Sequence, residues 1–197
     1  MHIGICGGTF DPIHYGHLLL AEQCREQLAL GVVWFMPASV PPHKQALEIT
    51  TAEHRVAMLQ LAIAGQPQFR VSEVELNRGG TSYTVDTLAT LRAAQPEDEF
   101  VLLIGADSLA DLPSWRKPQQ ILEFATIAAV NRGRAPLDLM PLQLQFPDFA
   151  QRIVTVQMPA VDLSATDLRH RVRTGRSIRY MTPRPVEEYI RQHGLYR

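Results

Sequence analysis

Two histidines close to a pair of glycines form the most informative part of this sequence. Residues 7–17 read G-G-T-F-D-P-I-H-Y-G-H and directly follow a short apolar run. Adjacent glycines let the backbone approach a ligand that a Cβ atom would exclude. If a helix begins near Gly16, the imidazoles of His14 and His17 and the first N–H groups of that helix face the end of the preceding strand, where they would bind phosphate. The alternative is a turn with two surface histidines.

This segment resembles the H-x-G-H motif of the nucleotidyltransferase superfamily, whose members transfer a nucleotidyl group from a nucleoside triphosphate to a phosphate. The whole chain is similar to the bacterial nicotinate-nucleotide adenylyltransferases of that superfamily, except around residues 133–150. The resemblance implies that ATP and nicotinate mononucleotide react to give deamido-NAD and pyrophosphate. It also implies that His14 and His17 contact the ATP phosphates, above all in the transition state. The ATP site would include the residues of the glycine turn, which are Gly7, Gly8, Thr9 and Phe10.

A proline-braced cation follows the second predicted strand. Residues 41–44 read P-P-H-K, and the two prolines stiffen the loop. An exposed loop lysine is the simpler interpretation, but the position after a strand end favours Lys44 as a phosphate clamp assisted by His43. On the same side we expect Gly8 to approach the mononucleotide. Asp11 precedes a proline and is either a turn former or a substrate contact.

The sequence T-S-Y-T-V-D-T-L at residues 81–88 follows two glycines. Ser, Thr and Asp commonly cap helices, so a purely structural helix start explains much of this segment. Helix N-termini also bind carboxylates. The resemblance implies that the pyridine carboxylate lies on a backbone N–H near Thr84, with Ser82 and Tyr83 lining the pocket. In the pantetheine-phosphate and cytidylyl relatives, which share H-x-G-H, this segment differs.

A fourth motif, I-G-A-D-S-L at residues 104–109, precedes a tryptophan. Gly105 would end a strand where the backbone approaches ATP, and Asp107 could accept hydrogen bonds from ribose or adenine. Trp115 offers a flat face for a pyridine ring, although it could instead cap the core beneath neighbouring prolines. Many relatives carry an aromatic residue at the next position. Here Arg116 stands there, and its cation would favour an acidic pyridine.

The fifth motif is L-S-A-T-D-L-R at residues 163–169. Ser164 or Thr166 resembles an N-cap, which would leave the first helix N–H groups facing phosphate oxygens. Arg169 lies one turn into that helix on the same side as Thr166. The family pattern is often S-S-T-x-I-R, and Ala165 replaces its second serine. A capped, salt-bridged surface helix is the alternative.

The elements that position these motifs alternate between short apolar runs and helical patterns. We interpret the apolar runs as strands at residues 3–6, 32–36, 69–71, 100–104, 126–130 and 153–156. Helical patterns lie at residues 17–29, 52–64 and about 85–94, and then at about 164–174 and 185–193. Continuously apolar strands separated by helices predict an α/β fold with a Rossmann-like, doubly wound parallel sheet and a C-terminal helical extension. Ligands bind beyond the carboxyl ends of such strands.

Finer expectations concern the faces of two helices and one connection. Leu20, Cys24 and Leu28 would form the buried face of the first helix. The buried face of the second would be formed by three residues, Val56, Leu59 and Ile63. Residues 131–150 contain a glycine and three prolines, and they read as a surface connection.

Composition fits a globular chain of one domain, with 197 residues, 46% of them apolar and 20% charged. We expect residues 1–160 to form the core and 161–197 a helical part of the same domain. No apolar run suits a membrane span and no secretory signal precedes one. The two cysteines lack metal-ligand spacing and would be buried apolar residues, so we expect a cytoplasmic protein. Eight arginines after residue 168 interleave with apolar positions, which favours a phosphate-facing helix rim over a nucleic-acid partner.

Without an evident covalent nucleophile, the sequence favours direct in-line displacement. Lys44, His14, His17 and Arg169 would surround the triphosphate. Mg²⁺ would arrive with ATP, because no carboxylate cluster suggests a dedicated cage. The alternatives are an enzyme of dual specificity for both pyridine mononucleotides, a sister enzyme using pantetheine phosphate or CTP, and a non-catalytic nucleotide sensor or nucleic-acid binder. The oligomeric state stays open.

Overall fold

A six-stranded parallel sheet organises the part of the chain that the computed structural model describes, which is residues 1–41, 49–133 and 137–197. The strands lie in the order β3-β2-β1-β4-β5-β6, and every adjacent pair is parallel. Their bounds are β1 His2–Gly8, β2 Val32–Pro37, β3 Phe69–Val71, β4 Glu99–Gly105, β5 Ala125–Arg132 and β6 Ile153–Met158. The predicted doubly wound sheet is confirmed, with all six strands where the apolar runs indicated.

Helices cover both faces of the sheet, as continuously apolar parallel strands require. Those in the described residues are α1 Tyr15–Gln27, α2 Ala52–Ile63, α3 Val74–Arg78, α4 Thr84–Ala94, α5 Ala106–Ala110, α6 Pro118–Phe124, α7 Met140–Gln145, α8 Ala165–Arg173 and α9 Arg184–Gln192. One apolar cluster packs α1, α2, α8 and α9 against the sheet. A second cluster packs α4, α5, α6 and α7 against the opposite face. The C-terminal helices therefore share the core of the sheet.

The predicted face of α2 is confirmed at Leu59 and shifted at its other two positions. The helix buries Arg55, Met58 and Leu59, whereas Val56 and Ile63 are only half-buried. Apolar spacing alone favoured the wrong stripe because an arginine occupies a core-facing position. On α1 the buried set is Leu20, Ala21 and Cys24, while Leu28 lies at the C-cap and is half-buried.

The described part of residues 131–150, which is 131–133 and 137–150, is more regular than a surface connection. After the end of β5 they contain α7 and most of a 3₁₀ helix at Pro147–Arg152. The side chains of Leu142 and Phe146 are buried in the second apolar cluster. Two of the three prolines that suggested a loop, Pro141 and Pro147, lie in the first turns of these two helices, where a missing N–H costs nothing.

The strand ends that should bind ligand meet at one edge of the sheet. The register pairs Gly8 of β1 with Pro37 of β2. It pairs Ile5 with Leu102 of β4, so Gly8 and Gly105 end neighbouring strands at the same level. The connections on the two sides of β1 run in opposite directions, which places the topological switch point between β1 and β4. In the described ranges, no helix is long and apolar enough to cross a membrane.

Candidate active site

The two histidines of the glycine-rich turn lie in direct contact at the switch point. His14 is the N-cap of α1 and is 4% exposed. Its imidazole stacks on that of His17, with ring centroids 3.7 Å apart and planes inclined by 22°. The backbone N–H of His14 donates to Nδ1 of His17 at 3.3 Å. In the neutral imidazole this bond favours a proton on Nε2 of His17, which makes that atom a hydrogen-bond donor.

Glycines in the turn leave space that side chains would fill. A Cβ atom on Gly16 would come within 3.0 Å of Nδ1 of His14, so the glycine allows that imidazole to pack against the helix. A Cβ atom on Gly7 would meet nothing within 4 Å, and this residue is exposed at the end of β1. On Gly8 it would meet the ring of Phe10 at 3.1–3.3 Å. Gly7 therefore offers the open backbone that a phosphate needs.

The ring of Phe10 packs against His17 of the histidine pair. This ring is buried and contacts His17 edge to face at a centroid distance of 5.1 Å. The residue has φ 51°, a left-handed backbone conformation that is uncommon outside glycine. Phe10, predicted as part of the ATP site, is therefore buried beneath His17.

Arg55 is a central residue of the site that sequence reasoning missed. Its side chain is 3% exposed and donates to the carbonyl oxygens of Thr9 at 3.0 Å, Ala38 at 2.9 Å and Thr50 at 3.0 Å. These contacts join the turn after β1 to the loop after β2. Burial lowers the pKa of the guanidinium. A charged residue at a core-facing position of α2 was the available signal.

The carboxylate of Asp11 points into the protein interior. It is 4% exposed, and its two oxygens accept from the hydroxyl of Tyr196 at 2.6 Å and from the backbone N–H of Thr50 at 3.2 Å. Sequence reasoning left Asp11 open between a structural residue and a substrate contact. These bonds favour the structural interpretation. Tyr196 was not among the predicted site residues.

The N-terminus of α8 lies beside the histidine turn. Ser164 is its N-cap, and its hydroxyl accepts from the N–H of Asp167 at 3.1 Å. Arg169 donates to the backbone carbonyl of Asp11 at 2.7 Å and to the hydroxyl of Thr166 at 3.3 Å. The predicted guanidinium and the histidine pair therefore lie at the same turn.

The segment after β2 carries a further group of predicted residues into the site. Val40 and Thr81 form a parallel bridge. The hydroxyl of Ser82 accepts from the N–H of Ser39 at 2.9 Å, and the N–H of Ser82 donates to Val40 at 2.9 Å. Ser82 thus connects the segment at residues 81–88 to the loop after β2. Two further predicted residues, His43 and Lys44, lie outside the described residues.

A cavity of about 250 Å³ lies between the start of α4 and the segment after α5. Its lining includes Tyr83, Thr84, Trp115 and Arg116. The guanidinium of Arg116 lies 4.7 Å from the centroid of the Tyr83 ring, and it forms a partly exposed ion pair with Asp86 at 3.2 Å. The structure therefore brings together the two motifs that sequence reasoning assigned to the pyridine ring.

The end of β4 supplies the remaining predicted residues. Gly105 is the N-cap of α5, and Asp107 lies exposed in the first turn of that helix. Both follow the strand next to β1, on the side of the switch point opposite to β2. Among the residues that the structure describes, no cluster of three His, Cys, Asp or Glu side chains could hold a metal ion.

The chemistry of this arrangement follows from its parts. Stacked imidazoles, the Arg169 guanidinium and the N-terminal turn of α8 offer donors for a polyanion. The neighbouring cavity offers aromatic and cationic groups for a flat, acidic ring. Cys6 on β1 and Cys24 on α1 are both buried, and burial raises the pKa of each thiol to about 12, so neither is a nucleophile.

A family model and two relatives that match nearly the whole chain agree with each other. The sequence matches the family described as Cytidylyltransferase-like over residues 5–171. A probable nicotinate-nucleotide adenylyltransferase of Thermomicrobium roseum is 48% identical over 195 residues, with 99% of this chain and 91% of that protein covered. A protein of the same description from Thermus thermophilus is 46% identical over the full length of both chains.

Solved structures share the fold. The Plasmodium falciparum nicotinic acid mononucleotide adenylyltransferase complexed with NaAD gives a TM-score of 0.78 at 19% identity, covering 99% of this chain and 97% of that one. A putative nicotinate-nucleotide adenylyltransferase from Vibrio parahaemolyticus gives a TM-score of 0.71 at 19% identity, covering 100% of this chain and 95% of that one. At such low identity the likeness concerns the architecture.

Proposed function

The chain belongs to the Cytidylyltransferase-like family and, within it, to the nicotinate-nucleotide adenylyltransferases, and from this membership we propose how its residues carry out the reaction. It joins ATP and nicotinate mononucleotide to give deamido-NAD and pyrophosphate, a step of NAD biosynthesis. The observation that carries this conclusion is identity of 46% over the entire length of a relative so described.

The triphosphate of ATP would lie against the histidine turn. His17 would donate from Nε2, with the stacked imidazole of His14 beside it, and Arg169 would add a positive charge from α8. The 5′-phosphate of nicotinate mononucleotide attacks the α-phosphorus, the bond to the bridging oxygen breaks, and pyrophosphate leaves. Because the attacking phosphate is already ionised, the reaction needs charge stabilisation and alignment more than a base. Lys44 would add a further positive charge beside the triphosphate.

The adenosine of ATP and the pyridine ring of the mononucleotide would bind at different places. Gly105 and Asp107 at the end of β4 would contact the ribose or adenine of ATP. The pyridine ring would enter the cavity between the start of α4 and the segment after α5, beside Trp115. Its carboxylate would meet the backbone N–H groups at the start of α4 near Thr84, with the Arg116 cation close by.

Mg²⁺ would enter as the MgATP substrate and neutralise phosphate charge. We place the reaction in the cytoplasm, as the buried thiols and the substrates suggest. Small-molecule substrates are the partners supported by the related structures, one of which was obtained with NaAD.

The rival functions are not favoured by the relatives. A sister enzyme acting on pantetheine phosphate would lack the pairing of the Tyr83 segment with Trp115 around one cavity. Dual specificity for the two pyridine mononucleotides is a question of degree, since backbone contacts can discriminate between acid and amide. A sensor or nucleic-acid binder would bind ATP or RNA without releasing pyrophosphate.

One assay tests the function. Pyrophosphate release from MgATP is measured with nicotinate mononucleotide, nicotinamide mononucleotide and pantetheine phosphate in parallel. We expect kcat/KM at least about tenfold higher for the acid than for the amide, which corresponds to about 1.4 kcal/mol in transition-state binding. Pantetheine phosphate should give no turnover. Equal kcat/KM for acid and amide would contradict the proposed specificity, and turnover with pantetheine phosphate alone would contradict the function.

A further inference from the structure

The penultimate residue of the chain reaches the catalytic turn. The hydroxyl of Tyr196 donates to Oδ1 of Asp11 at 2.6 Å, across a separation of 185 residues. A distance this short is typical of a hydrogen bond from a hydroxyl to a carboxylate. The contact is partly buried, and the same hydroxyl lies 4.0 Å from the sulfur of Met58 on α2.

Asp11 in turn contacts two other parts of the active site. Its second carboxylate oxygen accepts from the backbone N–H of Thr50, close to the start of α2. Its backbone carbonyl accepts from Arg169, the guanidinium assigned to the triphosphate. Asp11, three residues before His14, therefore joins the C-terminal segment, the approach to α2 and the middle of α8.

The backbone around Tyr196 indicates that its position is specified. Tyr196 has φ 65°, in the left-handed region that a bulky residue rarely adopts. Such a conformation persists where surrounding contacts require it. Burial and the hydrogen bond to Asp11 raise the pKa of the phenol, so it keeps its proton and remains a donor at neutral pH.

We infer that Tyr196 is a positioning residue for adenylyl transfer, which holds Asp11 so that the histidine turn and Arg169 are aligned before substrate binds. The inference deepens the proposed function and rests on it. It predicts a specific kinetic effect. Misalignment of transition-state donors lowers kcat, whereas the KM values depend on contacts that ground state and transition state share.

A second tyrosine of the same C-terminal segment provides a matched control. The hydroxyl of Tyr189 on α9 is hydrogen-bonded to Nδ1 of His54 on α2 at 2.9 Å. Like Tyr196, it joins the C-terminal segment to α2, and it is half-buried. The hydrogen bond of its hydroxyl goes to His54 and not to Asp11. Removing the Tyr189 hydroxyl therefore measures the effect on kcat of weaker packing between the C-terminal segment and α2, without a change at Asp11.

The experiment compares Tyr196→Phe with Tyr189→Phe in pyrophosphate release and thermal unfolding. We expect kcat to fall about tenfold in Tyr196→Phe with each KM within about twofold of wild type. A displacement of about 1 Å at a reacting centre costs about a hundredfold, so a shift of about half that size costs about tenfold. Tyr189→Phe should keep wild-type kcat, although both variants lower Tm. Equal kcat in the two variants would overturn the inference, as would a rise in KM without a change in kcat.

The route through Asp11 is tested by a double-mutant cycle. In an Asp11→Ala background, Tyr196→Phe should lower kcat by less than twofold, since the partner of the hydroxyl has gone. A full additional tenfold loss would overturn the assignment to Asp11. If Asp11→Ala does not fold, a chain ending at Leu195 is compared with one ending at Tyr196, and only the shorter one should lose kcat. Wild-type protein without adenylyl transfer would instead count against the proposed function.

Discussion

Replacing Gly16 by alanine should separate stability from activity. Gly16 lies in the first turn of α1 between the two histidines. Alanine is the better helix former by about 1 kcal/mol, so the change favours the helix. However, the new Cβ atom would lie 3.0 Å from Nδ1 and 3.1 Å from Cε1 of His14. Contacts this tight require the imidazole to move by a few tenths of an ångström.

The two effects have opposite signs and can be estimated. The gain in helix propensity, reduced by the contact with His14, leaves the free energy of unfolding between unchanged and about 1 kcal/mol higher. A displacement of about 1 Å near the reacting atoms costs about a hundredfold in rate. A shift of a few tenths of an ångström should therefore lower kcat by about three- to tenfold. If the methyl group displaces the His14 imidazole without distorting the helix, the variant should be as stable as wild type but have a lower kcat.

Urea unfolding and pyrophosphate release measure these two quantities on the same sample. The control is Gly16→Ala in a His14→Ala background, where the methyl group no longer meets an imidazole and should change kcat by less than twofold. Wild-type kcat in the single variant would refute the steric reasoning. So would a stability loss above about 1 kcal/mol, because the helix would then be distorted as a whole.

Two further variants test other parts of the site. His17→Ala should lower kcat by at least about a hundredfold, or about 3 kcal/mol, while the circular dichroism spectrum is retained; wild-type turnover would exclude a catalytic role for His17. Arg55→Met should lower the free energy of unfolding by about 3 kcal/mol in urea titrations, because three backbone carbonyls lose their donor. The control Arg70→Met, at an exposed position of β3, should change it by less than about 0.5 kcal/mol, and equal losses in the two variants would contradict the role of Arg55.

The strands were predictable because each is apolar along its whole length. Runs such as 100–104 and 126–130 have no polar alternation, which is typical of strands buried on both faces. Short helices were harder to predict. α5 and α6 are each seven residues or fewer, too short for a 3.6-residue period to be read from the sequence. Leu142 and Phe146 were missed because the helix beside them is also short and because neighbouring prolines favoured a loop interpretation.

The site was predictable where its residues are neighbours in sequence. The stacked pair of His14 and His17 and the cap at Ser164 follow from local spacing. Arg55 and Tyr196 do not, because their partners lie far along the chain and no local pattern marks them. For Asp11 the sequence indicated a special residue without its role. Only the folded chain shows that its carboxylate bonds to Tyr196 and Thr50.

The catalytic turn is held by donors that come from distant parts of the chain. The carbonyl of Thr9 accepts from Arg55, that of Asp11 from Arg169, and that of Ile13 from the buried hydroxyl of Thr182 at 2.7 Å. These donors are 46, 158 and 169 residues away from their acceptors. Each bond fixes one peptide of the turn before any ligand arrives, which reduces the reorganisation that the transition state would otherwise require. Thus the motif at residues 7–17 contains the proposed catalytic histidines, and the C-terminal segment and α2 hold its backbone in place.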